Sequence, residues 1–239
     1  MKHILYITFF LIATACQRPT KQPNTLTAQE KAEGWQLLFD GETLQGWHIY
    51  NKGNIDSKWT VNDGELTCDP HKKSGIFGDL TTDSVYQNFE LELEWKVFKG
   101  GNSGVFINVN EHDNYAAAFA TGLEMQLLDN DNAEHRHKID STHWAGCLYA
   151  VDCLSQNSAP RTYNNWNHSR IIQQNGKVSF WLNGKPTFEK QTDTEEFKMM
   201  IAKSPMKAYP DFGKLQLGRI ALQNHTDSVS FRNIKIKRL

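Results

Sequence analysis

The chain has 239 residues, 39% hydrophobic and 11% aromatic, which is enough for one large core and short of two ordinary domains. Its 26 basic and 27 acidic residues are interspersed and leave a formal charge of −1, so the basic footprint of a nucleic-acid binder is missing. An uncharged ligand needs no such field.

In chain order, Lys2 and His3 precede an uninterrupted apolar run over residues 4–15, which is shorter than the ~20 residues that span a bilayer as a helix. With the small residues Ala13, Thr14 and Ala15 ahead of Cys16, residues 1–15 read as a bacterial lipoprotein signal peptide and Cys16 as the acylated first residue of the mature chain. Ala13 stands where a branched residue is usual. An ordinary cleaved signal with an incidental cysteine is the alternative, and both readings export the protein. The expected location is the bacterial cell envelope, held to the membrane by a lipid anchor at Cys16 and facing the periplasm or the exterior. Residues 16–33, polar and broken by Pro19 and Pro23, lack the apolar residues to pack and predict a flexible tether. One folded domain is expected over 34–239.

Within that domain helical periodicity is scarce, while alternating and β-branched runs recur between turn residues. Strands are predicted at 35–39, 59–61, 65–67, 89–97, 103–109, 123–128, 170–173, 178–182, 215–222 and 229–236. Asn62-Asp63-Gly64, Asn175-Gly176 and Asn183-Gly184 are hairpin turns, because Asn, Asp and Gly tolerate positive φ. The clearest alternation puts Phe89, Leu91, Leu93, Trp95 and Val97 on a core face and Glu90, Glu92, Glu94 and Lys96 on a face expected to be solvated. Residues 195–209 predict a short helix or an irregular crossing. Many short strands, with seven Trp and thirteen Phe to fill the space between layers, give an all-β two-sheet sandwich.

Three cysteines follow Cys16: Cys68, Cys147 and Cys153, an odd number that makes no complete disulfide framework. Free, buried thiols are expected, with a Cys147 to Cys153 bridge as the alternative in an oxidising compartment.

The stretch 123–130 carries the most chemistry, since alternation turns Leu123, Met125 and Leu127 inward and leaves Glu124 and Gln126 together on the other face. A carboxylate and a carboxamide two apart on one strand are suited to hydrogen-bonding hydroxyls or moving protons. The plainer reading is a solvated strand ending in an Asp129-Asn130 turn. Gly100-Gly101-Asn102-Ser103-Gly104 bares the backbone for a ligand or for a β-bulge. It lacks the Lys and following helix of a phosphate loop. His135, His137, His143 and Asp140 share one loop and offer donors for a divalent metal, but at no regular spacing, so no metal or other cofactor is assigned. Trp144, Tyr149, Trp166 and Trp181 offer faces for stacking on a ring.

The chain resembles the 3-keto-disaccharide hydrolase family. The resemblance rests on Leu38-Phe39-Asp40-Gly41 with Gly46-Trp47, Asn102-Ser103-Gly104-Val105-Phe106, Glu124-Met125-Gln126-Leu127-Leu128-Asp129-Asn130 and Ala145-Gly146-Cys147-Leu148-Tyr149. It continues through Trp166-Asn167-His168, Trp181-Leu182-Asn183-Gly184, Ile220-Ala221-Leu222-Gln223-Asn224-His225 and Phe231-Arg232-Asn233-Ile234. It implies a concanavalin A-like jelly roll of the lectin and glucanase type, and cleavage of a small carbohydrate already oxidised to a ketone at its third carbon. A ketone there acidifies the hydrogen on the second carbon, so a base, an enolate donor and an acid suffice to expel the glycosidic oxygen. On this reading Glu124 is the leading acid/base candidate, with His225 and Asp129 behind it as proton carriers. Asn102, Gln126 and Gln223 would orient hydroxyls or the enolate, and Tyr149, His143 and Trp181 would complete the substrate site. Retaining glucanases of this fold carry Glu-x-Asp-x-x-Glu, whereas Glu124, Gln126 and Asp129 stand at those positions here, which weakens a conventional double displacement. A glucanase and a non-catalytic lectin-like module are the alternatives.

Overall fold

The computed structural model describes residues 22–239. The expected signal peptide, Cys16 and the first part of the tether lie outside the described residues. Among those described, no helix is long and apolar enough to cross a membrane.

The domain is an all-β two-sheet jelly-roll sandwich. Its eight-stranded sheet contains β1 (Trp35–Leu37), β3 (Trp59–Asn62), β4 (Glu65–Cys68), β6 (Phe89–Val97), β9 (Asn167–Gln174), β10 (Lys177–Leu182), β11 (Lys185–Gln191) and β13 (Val229–Arg238). The order is β11-β10-β9-β6-β13-β4-β3, with β1 also pairing with β13. The second sheet has five strands: β2 (Trp47–Ile49), β5 (Leu80–Thr82), β7 (Asn102–Val109), β8 (Leu123–Leu128) and β12 (Arg219–Leu222), in the order β2-β5-β12-β7-β8. Every strand pair is antiparallel.

The hairpin signals are realised in detail. Asp63 and Gly64 have φ of 51° and 76°, and Asn175 and Gly176 have 50° and 78°, the left-handed pair that a two-residue turn between twisted strands requires. Leu91, Leu93, Trp95 and Val97 of β6 face Val105, Ile107, Leu123, Met125 and Leu127 of the other sheet in one buried cluster. Short β2 and β5 and the edge strand β11 were not apparent from the residues, because three-residue strands show no period and the Lys185–Gln191 stretch is polar.

Four expectations need correcting. The tether ends sooner than residue 33. Asn24 is 7% exposed, its backbone N–H donates to Asn233 Oδ1 at 2.6 Å, and its side chain donates to Gly64 O at 2.8 Å. A short helix, α1 (Ala28–Ala32), follows behind a Thr27/Glu30 capping box. The glutamate face of β6 is an ion-paired face rather than a bare solvated one. Glu90, 7% exposed, meets Arg170 and Lys237, Glu92 meets Lys235 and Glu94 meets Arg232. Cys147 and Cys153 are joined in a disulfide, leaving Cys68 as a buried free thiol. Fourth, residues 215–218 precede β12 rather than belonging to it; Gly218 pairs instead in an isolated bridge with Tyr86, Tyr86 N donating to Gly218 O at 2.8 Å and Gly218 N to Tyr86 O at 3.1 Å. A one-turn helix, α2 (His135–Lys138), follows β8, and the 195–209 crossing resolves into α3 (Glu195–Lys203) and a tight turn over Pro205–Ala208.

Candidate active site

Alternation along β7 and β8 builds the site on the face of the five-stranded sheet that points away from the core. Val105, Ile107, Leu123, Met125 and Leu127 enter the core, which leaves Asn102, Gly104, Glu124 and Gln126 on the opposite side. In the β7/β8 ladder Gly104 is opposite Gln126 and Phe106 is opposite Glu124. A Cβ on Gly104 would overlap the Glu124 carboxyl, so this glycine exists to make room for it. The bland reading of the Gly100–Gly104 stretch as backbone bulge alone is therefore incomplete. From β12 the chain runs on to Gln223, whose N–H donates to Gly104 O at 2.9 Å. Ser103 Oγ donates to Gln223 O at 2.9 Å and fixes that residue against β7.

These strands floor a cavity of about 200 Å³ lined by Asn102, Glu124, Gln126, Tyr149, Gln223 and His225, with Phe119, Met206 and Tyr209 closing its sides. Tyr149 arrives because residues 146–149 run along the free edge of β8: Gln126 N donates to Cys147 O at 3.0 Å, and Tyr149 N to Glu124 O at 3.1 Å. The Cys147–Cys153 bridge closes the turn just beyond. Met206 and Tyr209 come from the turn after α3, and Tyr209 packs edge-on against Phe119 at 5.1 Å between ring centroids.

Glu124 is 5% exposed and forms no ion pair among the described residues. Burial, reinforced by the negative charge of Asp79, pushes its carboxyl well above the ordinary value, against a hydrogen bond with Gln223. Around it the groups are neutral carboxamides. Gln126 Nε2 donates to Asn102 Oδ1 at 2.9 Å, which fixes both amide orientations, and Asn102 Nδ2 donates to His137 Nε2 at 3.3 Å. His137 is 2% exposed, and burial, with help from Arg136 and His143, holds its imidazole down at about 4 and therefore neutral. Gln223 Oε1 and His225 Nδ1 find no protein hydrogen-bond partner. His225 Nδ1 lies 3.8 Å from Asp227 Oδ2.

Of the residues singled out by sequence, Glu124, Gln126, Asn102, Gln223, Tyr149 and His225 come together in this cavity. His143 stands one layer back, stacked on the Tyr149 ring at 4.6 Å. Asp129 and Trp181 do not belong. The Asp129 carboxylate accepts from Gly100 N and from Asn132 Nδ2, both at 2.9 Å, and so clasps the loop at the strand end. Trp181 is on β10 in the other sheet, 5.8 Å from the Arg170 guanidinium. Trp166 is likewise held between Lys96 and Arg232. Of the proposed metal donors, His143 lies beside His137, at 5.2 Å between ring centroids, and beside Asp140, at 3.6 Å, while His135 is exposed and His137 is held against Asn102; no group of three such donors is placed to hold an ion among the described residues. The residues do not fit a metal, and no step is derived through one.

The residues that sequence reasoning missed are Phe119, Met206, Tyr209, His137 and Asp79. The first three sit on turns without periodicity, and His137 was weighed only as a ligand. Asp79 lines an adjoining hollow of about 340 Å³ that shares Phe119, Gln223 and His225 with the first. Its only signal was an acidic residue at the start of a β-branched run, which is common on any surface.

A family model described as a 3-keto-alpha-glucoside-1,2-lyase-like domain matches residues 34–237. A Bacteroides thetaiotaomicron protein named 3-keto-disaccharide hydrolase is 32% identical over 230 residues, covering 86% of this chain and 79% of the relative. A crystal structure of a provisionally assigned glycosyl hydrolase from Parabacteroides distasonis superimposes with a TM-score of 0.80 at 34% identity, covering 91% of this chain and all of the other. A second such protein from the same organism gives 0.64 at 25% identity, over 86% and 99% of the two chains. With nearly all of its folded part matched in sequence and in shape, the chain belongs to the 3-keto-alpha-glucoside-1,2-lyase-like family.

Proposed function

We propose that this protein is a carbohydrate-cleaving enzyme of the bacterial cell envelope that acts on glycosides carrying a ketone at the third carbon. The observation that carries the reading is the setting of Glu124, a carboxyl buried without a cation and ringed by three carboxamides. Such a group holds its proton more firmly than an ordinary carboxyl and suits delivery of that proton to a departing oxygen. Each of the Asn102 and Gln126 carboxamides keeps a second N–H beyond the bonds described above, and these would meet charge that develops on a neighbouring oxygen, as an enolate requires. Retaining glucanases of this fold draw their second carboxylate from the same strand, and Gln126 stands at that position instead. The relative named as a disaccharide hydrolase and the family description support the same substrate class.

The chemistry runs as elimination followed by hydration. A base takes the hydrogen from the second carbon, the C1–O bond breaks, and Glu124 protonates the departing oxygen. Water then adds at the first carbon while a proton returns to the second, so the net change is hydrolysis. Lipid anchoring through Cys16 would keep the enzyme beside the membrane that exported it.

Incubation of the pure protein with a 3-keto glucoside and with its unoxidised parent, products followed by mass, tests this directly. Release is expected only from the keto sugar, and Glu124→Gln should lower the rate by about 10²-fold or more. Cleavage of the unoxidised glucoside would establish the glucanase alternative. Saturable binding without turnover would establish the lectin-like one.

A further inference from the structure

Among the described residues, two acidic side chains beside the site are left unused by the scheme above: Asp227, which accepts from Asn102 N at 3.1 Å and lies 3.8 Å from His225 Nδ1, and Asp79, whose charge acts on Glu124. Asp79 stands just before β5, half-buried in the wall of the adjoining hollow. Its carboxylate accepts a hydrogen bond from Asn224 N at 3.0 Å and a second from the backbone of Ala118. No lysine or arginine pairs with it among the described residues. Two backbone donors hold the anion in place without neutralising it, which is the setting of a carboxylate that acts rather than one that ties the fold together. Phe119, Gln223 and His225 line both this hollow and the cavity of Glu124, so the two adjoin at these side chains and a ligand laid across them would have Asp79 on one side and Glu124 on the other.

We infer that Asp79 is the base that removes the hydrogen from the second carbon of the keto sugar, working as the partner of Glu124, which supplies the acid. The inference rests on the reaction proposed above. The enzyme starts with Asp79 ionised and Glu124 protonated. Asp79 takes the C2 proton, and the electron pair moves onto the C3 oxygen to give the enolate. That pair returns to re-form the C3 carbonyl as the C1=C2 bond forms and the C1–O bond breaks, and Glu124 gives its proton to the departing oxygen. In the hydration half, Glu124 takes a proton from the water that adds at C1 and Asp79 returns its proton to C2. Both groups are then as they began, and nothing else is consumed.

The electrostatics agree with this division. Burial pushes Asp79 up to about 6, so it is mostly ionised at neutral pH, and its charge in turn helps keep the proton on Glu124. The other groups facing Asp79 are His225, Tyr50, Cys68 and, across the hollow, Lys52. Tyr50 and Cys68 are both pushed up to about 12 and stay neutral. That leaves His225 as the rival base.

The test uses 1,5-anhydroglucitol oxidised at its third carbon, which has no glycosidic leaving group and so isolates proton removal. The whole protein is incubated with it in heavy water, and deuterium entering at the second carbon is followed by NMR, with the fourth carbon as internal control. Wild type should exchange the second position selectively. Asp79→Asn should slow exchange by about 100-fold while still binding the analogue, whereas Glu124→Gln should lose cleavage of the 3-keto glucoside far more than exchange. Exchange by wild type should also fall as pH drops below about 6, between pH 8 and 5, as Asp79 gains a proton. A flat profile across that range overturns the inference without recourse to any variant. So does exchange by Asp79→Asn within about threefold of wild type, or its loss in His225→Asn alone. Failure of wild type to cleave any 3-keto glycoside is a separate result, and it sinks the reaction rather than the choice of base.

Discussion

Glu124 illustrates how a functional residue sets itself against the fold that carries it. Its folded-state value lies above the ordinary 4.5 because burial and Asp79 both disfavour the charge. The folded protein therefore holds the proton longer than the unfolded chain, and stability drops as pH rises from 4.5 until the folded value is passed. Glutamine has nearly the same shape and does not titrate. Glu124→Gln is expected to be more stable than wild type by ~0.5–2 kcal/mol near pH 8, with the gain vanishing near pH 4 where both are neutral. Thermal unfolding at the two pH values checks this, and a variant less stable at the higher one would show that the carboxyl is not strained by its burial. Alternation alone placed Glu124 and Gln126 on one face, because the period of a strand is fixed by its geometry. It gave no means to tell them from Asp129, whose role depends on what stands opposite: Gly100 N and Asn132 across a turn.

At the scale of elements, the segment from Gly146 to Tyr149 turns the bare edge of β8 into one wall of the site. It is not a regular strand, and it holds to the edge through a few backbone bonds and a single bridge between Met125 and Leu148. The disulfide six residues long in separation closes the turn behind it. Closing so short a loop is worth ~2 kcal/mol in the chain-entropy account, and in a domain of this size that equals roughly 4–8 °C in Tm. The double variant Cys147→Ser/Cys153→Ser should lose about that much and should show a raised KM for the keto substrate, since Tyr149 is carried on the loosened edge. Reductant should reproduce both effects in wild type; an unchanged KM after reduction would detach the bridge from the site. Sequence favoured free thiols because an odd cysteine count and a large core gave no need for a staple. The need is local and functional, and it arises from an unpaired strand edge that composition does not reveal. In the same way long alternation located β6 and β8, and the Asn62-Asp63-Gly64 turn located the four-residue strands β3 and β4 on either side of it. The three-residue strands β2 and β5 owe their existence to neighbours.

For the molecule as a whole, the outer face of the eight-stranded sheet decides the response to acid. β6 lies between β9 and β13, and its glutamates reach basic residues on both neighbours. Burial alone would raise Glu92, but hydrogen bonds from His168 and Lys235 prevail and hold it down to about 2. Its folded value is below its unfolded one, so the stabilisation is complete above 4.5 and disappears as pH falls towards 2. Glu92→Gln should therefore cost stability at neutral pH and almost nothing near the acid end. The cost should be ~1 kcal/mol rather than the 3–5 expected when a buried charge is stranded, because Lys235 keeps Glu30 as a partner at 2.7 Å. Urea midpoints measured near pH 7 and about pH 2.5 give the comparison, with the m-value as a control on the unfolded state. A gap between variant and wild type that is the same at both would mean that the face works by packing alone. A gap that closes on acidification would show charges across three strands acting as a clamp on the sheet opposite the active site, leaving the five-stranded sheet free to carry a buried acid that the fold would otherwise reject.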